Sequence, residues 1–275
     1  MESASFTTPD GVQIHTKFWQ ATSTSERIVL IVHGLAEHSG RYQHVAERLT
    51  QAGYHVYALD HRGHGQSTGE RLHVPKPDSF ITDLKQFYER IRLAHPNAAF
   101  FMLGHSMGSV ISLDFILTYP DAISAIAVTG TATDVSTTVS PLLRGFSQVV
   151  YALFPQAPIS APSGTSVLTR DPEMLRLAEN DPLLYKGWTK TSVAKYVVET
   201  GEHIQERADK ITIPILIMHG EDDTLTPISG SKIMYGRVGS SDKTLKIWPN
   251  MFHEILNEVE REAVIDTLVT WLDQH

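Results

Sequence analysis

The chain has 275 residues, 41% of them hydrophobic and 20% charged, with no cysteine and a formal net charge of -8. That length and apolar share suffice to bury a large core in one globular domain with room for an insertion. The missing cysteines exclude disulfides, thiolate nucleophiles and Cys-ligated zinc, and a mildly acidic chain with no Lys/Arg cluster excludes a nucleic-acid surface and favours a small or neutral substrate.

The opening run Met1-Glu2-Ser3-Ala4-Ser5-Phe6-Thr7-Thr8-Pro9-Asp10 has neither a basic start nor an apolar stretch, and no later run approaches the roughly 20 apolar residues of a spanning helix. A cytoplasmic protein is expected. Phe6 to Trp19, broken by Pro9-Asp10-Gly11, reads as an antiparallel hairpin on a sheet edge. Short apolar runs follow: Ile28-Val29-Leu30-Ile31-Val32, His55-Val56-Tyr57-Ala58-Leu59, Phe100-Phe101-Met102-Leu103, Ile126-Ala127-Val128, Ile215-Leu216-Ile217-Met218 and Thr244-Leu245-Lys246-Ile247. Continuous rather than alternating apolarity is what strands of a parallel sheet covered on both faces require. Between them, Tyr42, Val45, Ala46 and Leu49 share one helical face, as do Phe80, Leu84, Phe87, Tyr88 and Ile91. A mostly apolar helix over 110–117 is stopped by Pro120. Strands alternating with helices predict an α/β sheet.

From 131 to 168 the texture turns to Ser, Thr and Pro, which predicts an insertion. The expected division is a core over 1–130 and 204–275 with a cap over 131–203. Within the cap, Leu142, Leu143, Phe146, Val149, Val150, Leu153 and Phe154 form an apolar face at helical spacing between Pro141 and Pro155. Such a face packs on the core by default; the sharper expectation is that it lines an acyl channel or touches a lipid interface, with Leu142, Phe146 and Val149 as substrate-binding candidates.

Gly104-His105-Ser106-Met107-Gly108 lies between a buried strand and the next helix, the context of the nucleophile elbow in α/β-hydrolases. A turn this tight forces the serine into a strained backbone conformation and leaves no space for a Cβ two residues to either side. Ser106 is therefore the candidate nucleophile. In this fold the acid and then the base follow the nucleophile in the chain. Beyond residue 223 the histidines are His253 and the terminal His275, so His253 is the candidate base. The acid comes from Glu221-Asp222-Asp223 after the strand ending at Met218; Asp223 is chosen, because Gly-x-x-Asp followed four residues later by Pro227 resembles the acid turn, with Asp222 as runner-up. His33-Gly34-Leu35-Ala36 closes the first buried strand, and the backbone N–H groups of Leu35 and Met107 are the expected oxyanion-hole donors.

The stretch from His33 through Glu37, His38, Gly40 and Arg41 to Tyr42, the stretch Asp60-His61-Arg62-Gly63-His64-Gly65-Gln66-Ser67, and the elbow itself resemble monoacylglycerol lipases and related lysophospholipases over roughly 26–130 and 211–258. The resemblance implies an α/β-hydrolase fold and a cofactor-free serine hydrolase. It also implies esters of single-chain lipids as substrates, monoacylglycerol first, with lysophospholipid or short-chain esters as alternatives, while transient contact with a membrane surface is expected of the apolar cap face. Eukaryotic members carry a second histidine three residues after the catalytic one; here that position is Leu256. Glu37 and Arg41 match the family and could touch a glycerol hydroxyl, although a spacing of four also makes an ordinary helix-edge ion pair. Oligomeric state is left open. The histidines of 61–64 lack carboxylates at ligand spacing, so no metal is expected, and Gly63-His64-Gly65-Gln66-Ser67-Thr68 lacks the third glycine of a dinucleotide loop. A non-catalytic binding protein on the same fold is the competing reading, against which the complete triad argues.

Overall fold

A computed structural model describes residues 1–23, 25–134, 154, 156–160 and 164–275. The amino-terminal hairpin forms as its turn residues dictate. Thr8 Oγ1 receives the Val12 N–H at 3.0 Å and donates to Asp10 Oδ1 at 2.5 Å, while Gly11 takes φ +87°. Strand β1 (Glu2–Thr7) thereby returns antiparallel to β2 (Gln13–Trp19) at one edge of the sheet.

The other main strands are β3 (Arg27–Val32), β4 (His55–Leu59), β5 (Ala99–His105), β6 (Ala125–Thr129), β9 (Ile215–Gly220) and β10 (Lys243–Trp248). They complete an eight-stranded sheet in the order β1-β2-β4-β3-β5-β6-β9-β10, parallel from β4 through β10. This mostly parallel sheet is that of an α/β-hydrolase. Strand β3 shows why its sequence is continuously apolar: Ile28, Leu30 and Val32 join the core on one face while Val29 and Ile31 join that on the other. Strand β10 departs from the expected uninterrupted apolarity: Thr244 and Lys246 are exposed, as befits an edge strand with a single neighbour.

Helices α1 (Gln43–Gln51) and α7 (Arg261–Leu272) bury Val45, Leu49, Val264 and Leu268 on one face of the sheet. Helices α2 (Ser79–Ala94), α3 (Met107–Thr118) and α6 (Ile228–Arg237) cover the other with Phe80, Leu84, Val110, Phe115 and Met234. In the predicted cap, β7 (Pro158–Ser160) pairs antiparallel with β8 (Thr189–Lys190), α4 (Pro172–Asn180) is capped by Asp171, and α5 (Thr191–Arg207) follows. Helix α5 runs past the expected boundary at 203, and its Val193, Tyr196 and Ile204 belong to the central core. Leu142, Phe146 and Val149 lie outside the described residues. Among those described, no helix is long and apolar enough to cross a membrane.

Candidate active site

Because the strands run parallel, their carboxyl ends and the loops after them converge at one edge of the sheet, where ligands of open α/β sheets bind. The loop after β5 is a single residue. Ser106 takes φ 54° and ψ −122° between β5 and α3, a conformation costing of order 1–3 kcal/mol that must be enforced by its surroundings. The enforcement is steric. A Cβ on Gly104 would stand 2.5 Å from Ser112 Oγ and 2.7 Å from Gly108 O, and one on Gly108 would stand 2.0 Å from Val32 O. The Ser106 N–H is spent on Thr129 O at 2.9 Å, and the Ser106 carbonyl accepts from Ser109 N–H at 2.9 Å and Ser109 Oγ at 2.6 Å. With the backbone so occupied, the hydroxyl is left at the amino terminus of α3, where the helix dipole favours negative charge.

The loop after β3 comes alongside: a Cβ on Gly34 would be 3.1 Å from Ser106 Cβ. Ala36 sits at φ 64° in this loop and its carbonyl accepts from Tyr185 N–H at 2.9 Å. Among the described residues, neither the Leu35 nor the Met107 N–H finds an acceptor. Two unspent amides flanking the serine are what an oxyanion hole requires.

The loops after β9 and β10 deliver the other two groups. Asp223 accepts the N–H groups of Leu225 and Thr226 on Oδ1 at 2.8 and 3.0 Å, and on Oδ2 receives His253 Nδ1 at 2.7 Å and Thr226 Oγ1 at 2.7 Å. His219 Nε2 approaches the same Oδ2 at 3.1 Å and Thr226 O at 3.2 Å; both are acceptors, so this nitrogen carries a proton. Burial alone would raise the Asp223 carboxyl, but the bonds from His219 and His253 outweigh it and hold the group well below the ordinary carboxylate range. Glu221 and Asp222 are exposed. Gly220 permits this approach of the two loops, since a Cβ there would lie 2.1 Å from Phe252 O.

A common turn separates His253 from Ser106, the candidate base and nucleophile. Thr129 O binds the Ser106 amide, and a Cβ on the adjoining Gly130 (φ 54°) would be 3.0 Å from His253 Cε1. His105 lies beside both, its ring 4.8 Å from that of His253 and its Nδ1 2.9 Å from Thr129 Oγ1. Burial lowers the His105 pKa to about 4, so it is neutral at pH 7.

Glu37 and Arg41 are brought together, but buried. Arg41 Nη1 donates to Glu37 Oε2 at 3.1 Å and, with Nη2, grips both oxygens of Glu254 at 2.5 and 2.7 Å. Sequence reasoning missed Glu254 and His219, although each adjoins a motif residue, His253 and Gly220 respectively. The second family motif serves the scaffold: Asp60 Oδ1 accepts from Ser39 N and Oγ at 2.8 and 2.6 Å and Oδ2 from Gln66 N at 2.8 Å, which pins the loop that carries Glu37. His61 and His64 are buried beside His33 and Phe80, and no three-residue cluster suited to a metal occurs among the described residues.

Residues 23–260 match the Hydrolase_4 family model, described as serine aminopeptidase, S33. A monoacylglycerol lipase of Mycolicibacterium smegmatis is 36% identical over 98% of this chain and 96% of its own, and human monoglyceride lipase is 28% identical over 96% and 88%. The crystal structure of Paleococcus ferrophilus monoacylglycerol lipase superposes with a TM-score of 0.85 at 27% identity, over 94% of this chain and 98% of that one. With a family model that matches residues 23–260 and a relative 36% identical over nearly its whole length, the chain belongs to the Hydrolase_4 (serine aminopeptidase, S33) family and is a serine hydrolase of the α/β-hydrolase fold.

Proposed function

We propose that the chain hydrolyses carboxylic esters of single-chain lipids, monoacylglycerol foremost, through an acyl-enzyme on Ser106. The observation that carries the chemistry is the buried Asp223–His253 contact of 2.7 Å at the sheet edge that also holds the strained Ser106. In this reading His253 takes the Ser106 proton as the hydroxyl attacks the ester carbonyl, and the oxyanion is received by the N–H groups of Leu35 and Met107. His253 then protonates the leaving alcohol, and water repeats the sequence to release the acid. Asp223, kept ionised by its own donors, holds the imidazole and stabilises its charged form.

The substrate reading is supported by the relatives named monoacylglycerol lipase. The cap, residues 131–203 in this reading, adds an apolar surface: Phe154, Leu177 and Trp188 are exposed by 64, 49 and 54%. Three large apolar side chains on one segment suit transient contact with a lipid surface. Trp188→Glu/Leu177→Glu is expected to weaken co-sedimentation with phosphatidylcholine liposomes while leaving hydrolysis of a soluble p-nitrophenyl ester unchanged; equal sedimentation would restrict these residues to the fold.

The deciding experiment compares kcat/KM for monoacylglycerols of varied chain length, lysophosphatidylcholine, p-nitrophenyl acetate and an aminoacyl amide. Monoacylglycerols of long chain are expected to lead. Preference for the amide, which the family description keeps in the comparison, or for acetate alone would overturn the lipid reading and leave the serine hydrolase.

A further inference from the structure

The Glu37–Arg41–Glu254 cluster is unlike the exposed ion pairs of this molecule. All three side chains are buried, and two carboxylates share one guanidinium. Its reach explains the arrangement. At one end Glu37 Oε1 receives the Gly34 N–H at 2.5 Å and the Tyr42 hydroxyl at 2.7 Å, so the carboxylate grips the His33–Gly34 peptide, next to the one that carries the Leu35 N–H. At the other end Glu254 follows His253 directly in the chain, receives Asn257 Nδ2 on Oε2 at 2.9 Å, and gives its own N–H to Leu168 O of the cap at 2.8 Å. Arg41 joins the ends by a bidentate fork, the geometry that fixes orientation as well as distance. Burial opposes ionisation of Glu254, but Arg41 overrides it and holds the carboxyl down to about 2, so the cluster is charged at every working pH.

We propose that Glu254 is a positioning residue: through Arg41 and Glu37 it holds the base loop at His253 and the oxyanion loop at Gly34 and Leu35 in one rigid frame. The proposal rests on the reading of Ser106, His253 and Leu35 given above. It also assigns Arg41 and Glu37 away from the substrate, because the fork of Arg41 is taken by the two glutamates and both Glu37 oxygens are already bonded. A frame that sets geometry between base and oxyanion donors acts on the transition state, and misplacement by about 1 Å can cost a hundredfold in rate. Loss of the link should therefore lower kcat and leave KM nearly alone.

The test uses Glu254→Gln, which keeps the shape and removes the charge, and Arg41→Lys, which keeps the charge and removes the fork. Each is assayed on a monoacylglycerol and on p-nitrophenyl butyrate, which has no glycerol. Both variants are expected to lose about tenfold or more in kcat on both substrates, with KM within about twofold. The double variant should be no worse than the worse single one, since both break one link. A loss confined to KM for the glycerol ester would overturn the proposal and return Arg41 to the headgroup. So would unchanged kcat with only a lowered melting temperature. Labelling with a fluorophosphonate separates this from the parent reading: absence of a Ser106 adduct on the wild type refutes the nucleophile, whereas full labelling together with wild-type turnover by Glu254→Gln refutes the frame alone.

Discussion

The two sides of the candidate site are built by different physics. The serine side is a steric construction, in which backbone at φ 54°, glycines that admit no Cβ and a helix amino terminus define where the hydroxyl stands. The imidazole side is an electrostatic one, in which His219, Asp223 and Thr226 of the segment after β9 and His253 of the loop after β10 satisfy one another. The strand–serine–helix turn is written within five residues, although Gly108 is also hemmed in by Val32 and His33 of the neighbouring strand end. Hydrogen bonds between buried polar groups act across the fold and hold only when every partner is in place.

The sharpest break of that comparison is chemical. Ser106→Ala and His253→Ala are predicted to lower kcat by roughly 10⁵- to 10⁶-fold with the fold unchanged, as loss of nucleophile or base does in a triad that acts as a unit. A loss of tenfold or less in either, read by steady-state kinetics on folded protein, would refute the assignment. Next comes the orienting acid: Asp223→Asn should cost about 10⁴-fold, because an amide no longer holds the imidazole in the required tautomer, whereas exposed Asp222→Asn should be neutral. The reverse pattern would move the acid by one residue.

The steric side is tested by Gly108→Ala. Its Cβ would meet two backbone carbonyls, Val32 O at 2.0 Å and His33 O at 2.5 Å, so the elbow must open. We predict destabilisation by about 3 kcal/mol or more in urea denaturation, or failure to accumulate as folded protein. A variant as stable as wild type would mean that packing at the elbow is looser than these distances allow.

The smallest effect concerns pH. Burial holds His33, His61, His64 and His105 below the ordinary imidazole value, His105 at about 4 and His64 at about 3, so these residues stay neutral in the fold while the unfolded chain protonates them near 6.5. The folded state then binds fewer protons, and stability is present in full above about 6.5 and falls as pH drops toward 4, by up to about 1.4 kcal/mol per pH unit for each histidine. Denaturation at stepped pH should show this slope, and His105→Gln should reduce it. A flat profile from pH 7 to 4 would show that these rings accept protons within the fold.

What the amino-acid sequence determined alone is what neighbouring residues decide. Apolar runs such as those of β3 and β5, the helical spacing of Phe80, Leu84 and Phe87, and the glycine pattern around Ser106 each show within a few positions of the chain. The fold followed from them, and so did Ser106 and His253 as candidates, the latter because chain order left little choice. Only the tertiary structure decided which carboxylate of 221–223 meets His253, that His219 supports it from behind, and that Arg41 turns from Glu37 to Glu254 across 213 positions. Helix α5, expected to belong partly to the cap, sinks Val193, Tyr196 and Ile204 into the common core for the same reason. Burial and pairing of charges depend on which distant segments the sheet brings to one edge, and no local pattern in a chain records that.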